Sequence, residues 1–144
     1  MNWNLIFKLS MFALAMGIAT VFVIPSNMEP LFWLPIFLIC AFLIAKNAPG
    51  QFFLHGLALG LINCLWVTGA HILLFDQYAA NHAAEAEMMK SMPMPDSPRL
   101  MMALFGPMIG LVSGVVIGLF ALAANKIVKQ DAPLQARSRG AGSY

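Results

Sequence analysis

Charge is what this chain has least of. Asp, Glu, Lys and Arg together make up 10% of its 144 residues, where soluble domains carry about 25%. An ordinary soluble fold is excluded. The net charge of +2 offers no basic surface for nucleic acid, so no nucleic-acid partner is expected. Cysteine is nearly absent too. Cys40 and Cys64 sit in separate apolar runs, which excludes a disulfide framework and a CxxC redox pair. No Asp or Glu lies within an apolar run, and Lys8 near one end is the only Lys or Arg. Proton relays and ion-coupled carriers keep such a residue at membrane depth, so a carboxylate-driven antiporter is disfavoured. No Ser or Cys has a neighbouring base in a recognisable nucleophile motif. An enzyme is the class the sequence supports least, and no cofactor is expected.

What is present is apolar sequence, 60% of the chain, in four runs. The first runs from about Leu5 to Ile24. It ends Val-Ile-Pro-Ser-Asn rather than in the small-x-small pattern of a signal-peptide cleavage site, so an uncleaved span is expected. Pro25 to Pro30 turns the chain into a second run, Leu31 to Ala45. This run is short against the ~20 residues needed to span, and Pro35 lies in its first turns. Lys46-Asn47-Ala48-Pro49-Gly50 breaks it. The third run, Phe52 to Phe75, is the most polar, with His55, Asn63, Cys64, Thr68 and His71. The fourth, Leu100 to Ala124, follows Ser97-Pro98, a cap and first-turn pair. The fold class expected is an all-α integral membrane four-helix bundle over residues 1–128, with a disordered basic tail at 129–144.

Glycine organises the last run. Gly106, Gly110, Gly114 and Gly118 recur every four residues, which returns them to one helix face and makes a groove without side chains. Gly56, Gly60 and Cys64 repeat the interval in the third run, and Thr68 continues it. In lipid such stripes bring backbones close, because apolar side chains gain nothing by leaving a medium as apolar as themselves. The third and fourth runs are therefore the expected closest pair, antiparallel. Alternatively, the Gly106–Gly118 face is free to pair with a second copy or with a larger membrane complex.

Lys and Arg set the orientation. With a cytoplasmic N-terminus, Lys8, Lys46, Lys126, Lys129, Arg137 and Arg139 lie inside, and Lys90 and Arg99 outside. The positive-inside rule then puts both termini in the cytoplasm and the loop between the third and fourth runs outside. That loop, Asp76 to Arg99, is alanine-rich in its first half. A helix is expected to continue from the third run to about Ser91, ended by Met-Pro-Met-Pro.

On that helix Tyr78, His82, Glu85, Met89 and Met92 share a face, with His71 seven residues before Tyr78. His82 and Glu85 are the candidate metal ligands. A His and a carboxylate at i, i+3 suit a divalent ion, although a third ligand must come from elsewhere. Met88 and Met92 have the MxxxM spacing of copper-permeating channels, and thioethers select Cu(I). The plainer reading is an amphipathic surface helix with methionine as flexible filler. Asn63, Thr68 and Ser113 suit interhelical hydrogen bonding or, less commonly, a polar path.

The segment SPRLMMALFGPMIGLVSGVVIGLFALAANKIVK resembles the final helix of small bacterial four-helix membrane proteins classed as a domain of unknown function. The likeness rests on a glycine-rich last span that ends in a short basic tail, here at Lys126 and Lys129. It implies the bacterial inner (plasma) membrane and no activity. The function expected is non-enzymatic: a small multi-pass protein of the lipid bilayer that forms a homo-oligomer or serves as an accessory subunit of a membrane complex through its glycine face. The alternative is a small oligomeric transporter or channel that handles a metal ion at the outer loop.

Overall fold

The chain turns where proline and glycine interrupt its apolar pattern. In the computed structural model, which describes residues 1–140 and side chains to residue 128, the elements are helices in the order α1 (Trp3–Phe22), α2 (Glu29–Asn47), α3 (Phe52–Leu73), α4 (Phe75–Asn81), α5 (Ala83–Lys90) and α6 (Pro98–Gly140). No strand occurs among the described residues. Four of these helices, α1, α2, α3 and Pro98–Val128 of α6, are long and apolar enough to cross a membrane. The tail expected to be disordered, 129–144, lies outside the residues with described side chains.

Each boundary has a local cause. Asn2 caps α1, its side-chain oxygen accepting from the Leu5 N–H at 3.1 Å. Pro25 stops α1, because the residue before a proline is pushed out of the α region. The second span is longer than expected, 19 residues, because α2 starts at Glu29-Pro30. A proline in the first turn gives up only an N–H that has no helical partner anyway, and the acidic residue suits the positive end of the helix dipole. Pro49 and Gly50 end α2, and Gln51 then adopts a left-handed conformation (φ 52°, ψ 41°). That costs about 1 kcal/mol for a residue with a Cβ. It is offset by the Gln51 carbonyl, which accepts from both the backbone N–H and the Nδ1 of His55 at 3.0 Å.

The expected continuous helix from the third run to Ser91 is corrected. The chain breaks at Leu74 and again at His82 (φ −126°, ψ 63°), so α4 and α5 are separate pieces. Alanine propensity is overridden at His82 by its side chain, which lies 3.0 Å from the Tyr78 carbonyl through Nδ1 and 3.2 Å from the Ile24 carbonyl through Nε2.

The closest helix pair is α3 with α6. Each step of four residues along α3 is met by one of four back along α6. A Cβ on Gly56 would fall on the Gly118 backbone, one on Gly60 on the Gly114 backbone, one on Gly110 against the Cys64 side chain, and one on Gly106 against Thr68. A Cβ on Gly114 would lie 2.7 Å from the Leu57 carbonyl oxygen. The glycine groove expected to carry self-association is thus filled by α3 of the same chain. Next, α1 packs along α3 in parallel, with Gly17 against Val67, and α2 packs along α6.

These contacts close one end of the molecule. Ile6 and Leu9 of α1, Cys40 and Ile44 of α2, Leu59 of α3 and Ile117 of α6 form one buried cluster there. The opposite end, which carries α4 and α5, stays open.

Candidate functional site

At the open end the first half of α2 stands away from α3, and a cavity of about 450 Å³ lies between α2, α3 and the first half of α6. That volume falls in the range of small-molecule pockets. Glu29, Trp33 and Phe37, four residues apart on α2, line one wall. Asn63, Cys64, Thr68 and His71 of α3 line another, and Met101, Met102, Phe105, Ile109 and Ser113 of α6 a third. Tyr78, Met89 and Met92 reach it from the α4–α5 segment.

Three rings link this cavity to α1. His71 stacks on Tyr78 at 4.4 Å between centroids, and Tyr78 stacks on His82 at 4.3 Å with the planes 14° apart. The seven-residue and four-residue spacings anticipated that shared face. Both histidines reach the first span or the turn after it: His71 Nε2 lies 2.9 Å from Thr20 Oγ1 of α1, and His82 Nε2 faces the carbonyl of Ile24, two residues beyond α1. Thr20 Oγ1 also lies 3.1 Å from the Gly17 carbonyl oxygen, within donating reach. The Thr20 hydroxyl and His71 Nε2 share one hydrogen bond, whose donor is set by the imidazole tautomer. Burial first, then the nearby carboxylates of Glu29 and Glu85, push the Tyr78 phenol up to about 12. Tyr78 keeps its proton throughout the physiological range.

The metal candidates His82 and Glu85 both lie at the start of α5. His82 is buried, 4% exposed, with both ring nitrogens against carbonyl oxygens. Glu85 lies three residues on, in the first turn of α5, which His82 immediately precedes. Among the described residues no three His, Cys, Asp or Glu side chains come together as a metal site. Met88 is 53% exposed on the outside while Met92 lines the cavity, so the MxxxM pair is divided.

Asn63 departs from the interhelical hydrogen bond expected of it. Its residue exposure is 5%, it lines the cavity, and its Oδ1 has no hydrogen-bond partner. A buried amide oxygen without a donor costs about 1–3 kcal/mol. His55 is fully buried. Its Nδ1 donates to the Gln51 carbonyl, and its Nε2 accepts from the Asn2 N–H at 2.8 Å, which ties the start of α1 to α3. The wall formed by Glu29, Trp33 and Phe37 was not foreseen. Its signal, three large or acidic residues at steps of four, sits in the run that looked too short to span.

The chain matches no family model, no curated protein and no solved structure.

Proposed function

We propose that this chain is a non-enzymatic, multi-pass membrane protein that works by binding a small molecule. It forms a four-helix bundle of the bacterial inner membrane with both termini cytoplasmic, so the open end, the cavity and the α4–α5 segment face the extracytoplasmic side. The observation that carries the reading is the cavity itself: an apolar space with a few convergent polar groups is what a ligand site looks like. Exposed apolar residues along α6, such as Met108, Ile109 and Val112, suit a lipid surround. The topology follows from the six-to-two division of Lys and Arg.

Binding is favoured over association because the glycine groove is occupied within the chain. A homo-oligomer or an accessory-subunit role would have to use another surface. Binding is favoured over transport because the buried cluster around Ile6, Ile44, Leu59 and Ile117 closes the opposite end. Native mass spectrometry of the chain, extracted gently from the membrane of a producing cell, tests the reading. The expected spectrum is a single chain carrying one small molecule, with the added mass lost in Met102→Trp, which fills the cavity. A bare chain, or a heteromeric complex without a small molecule, overturns it.

A further inference from the structure

We propose that the cavity takes a lipophilic amine, an ammonium group carried on a compact apolar body. The proposal rests on the binding reading above and adds the chemistry of the ligand. Its first support is charge. Among the residues lining the cavity, Glu29 is the only Asp, Glu, Lys or Arg. The ion pairs found among the described residues are Lys90–Glu87 and Arg99–Asp76, and neither involves Glu29. A carboxylate beside a largely apolar space, without a cation of its own, favours a positively charged guest and repels an anionic one.

The second support is hydrogen-bond polarity. Asn63 Oδ1, buried and unpartnered, needs a donor. His71, on the same lining, is held to Thr20 through Nε2 at 2.9 Å. The Glu29 carboxylate and the Asn63 amide oxygen are both acceptors, and no Lys or Arg on the lining supplies a donor. An ammonium supplies several. The third is the wall. Trp33 and Phe105 bring aromatic rings to the lining, and a ring face attracts a cation within about 6 Å, by roughly 2 kcal/mol where water is excluded. Methionines at the rim, Met92 and Met102 among them, adapt to irregular apolar shapes. A fatty acid or a phosphate-headed lipid would meet Glu29 and find no cation, so the anionic class is disfavoured.

A head-group series on one body separates the possibilities. The full-length chain in phosphatidylcholine nanodiscs is titrated with 1-adamantylamine, 1-adamantanol and adamantane-1-carboxylate by calorimetry, with empty nanodiscs subtracted for partitioning. The amine is expected to bind at least tenfold more tightly than the alcohol, and the carboxylate not at all. Glu29→Gln should bring the amine down to the affinity of the alcohol. Asn63→Leu should weaken the amine without reversing that order. The native chain gives the main result without any variant, so a variant that misfolds leaves the test standing. Equal binding of amine and alcohol, preference for the carboxylate, or an unchanged amine affinity in Glu29→Gln overturns the amine proposal while the binding site stands. Failure of all three compounds, together with a native mass spectrum free of small molecules, overturns the binding reading as well.

Discussion

The two ends of the molecule use the same materials to opposite effect. At the closed end, glycine brings α3 onto α6 until backbones touch, and the buried histidine there, His55, has both ring nitrogens engaged by the backbone of Asn2 and Gln51. At the open end the helices spread, and a buried amide, Asn63, keeps an oxygen that nothing among the described residues satisfies. A polar group in an apolar interior costs about the same wherever it lies, on the order of 1–3 kcal/mol unless it is paired. The closed end recovers that cost within the chain. The open end does not, and the proposed ligand is what would recover it there.

The sharpest way to break this comparison is to change one glycine on each kind of surface of the same helix. Gly60→Ala places a methyl group on the Gly114 backbone, which cannot move aside as a side chain can. A loss of about 3 kcal/mol is expected, at the upper end of what overpacking costs. Gly69, also on α3, has nothing near its missing Cβ. Gly69→Ala should leave stability unchanged or raise it by about 0.5 kcal/mol, the helical preference of alanine over glycine. Unfolding by SDS in mixed micelles measures both. Equal effects from the two would mean that the α3–α6 seam is not the close contact described.

Much of the closed end was legible in sequence because the signal is periodic. Four glycines at steps of four fix a face, and a matching stripe of Gly56, Gly60, Cys64 and Thr68 fixes its partner. What the pattern leaves open is whose stripe fills the groove, since a second copy presents the same residues. The open end was less legible for a physical reason. A cavity is made by where helices part, and no local pattern encodes a separation. Glu29, Trp33 and Phe37 carry no mark in sequence that distinguishes a cavity wall from a lipid-facing one. The break at His82 was hidden by helix-favouring alanines, and only the side chain's contacts with Tyr78 and Ile24 reveal it.

The two buried histidines extend the comparison with a smaller effect. His55→Leu leaves the Asn2 N–H and one bond to the Gln51 carbonyl unmade at the closed end, where α1, α2, α3 and α6 meet. About 2 kcal/mol of global stability should be lost. His82→Leu removes a tie between the loop and Ile24, but Asn81 still donates to the Val21 carbonyl at 2.8 Å. The loss there should be about 1 kcal/mol and local. Amide hydrogen exchange should quicken across residues 83–97 while the centres of α3 and α6 keep their protection. Protection lost across all four long helices would show that the open end is as cooperative with the core as the closed one.

The smallest effect belongs to the charges on the rim of the open end. Arg99 Nη2 lies 3.4 Å from Asp76 Oδ1, and its guanidinium carbon stands 5.2 Å from the centre of the Phe75 ring. The pair joins the start of α6 to α4 and could be taken for a clasp over the cavity. Its side chains are 53% and 88% exposed, however, so water screens the attraction and holding two mobile side chains in place offsets most of the gain. Arg99→Ala should change stability by no more than about 0.5 kcal/mol. Adamantylamine affinity should stay within twofold of the native chain, because Arg99 does not line the cavity. A tenfold change in that affinity would make the Arg99–Asp76 pair a working gate and move part of the recognition from Glu29 to the rim.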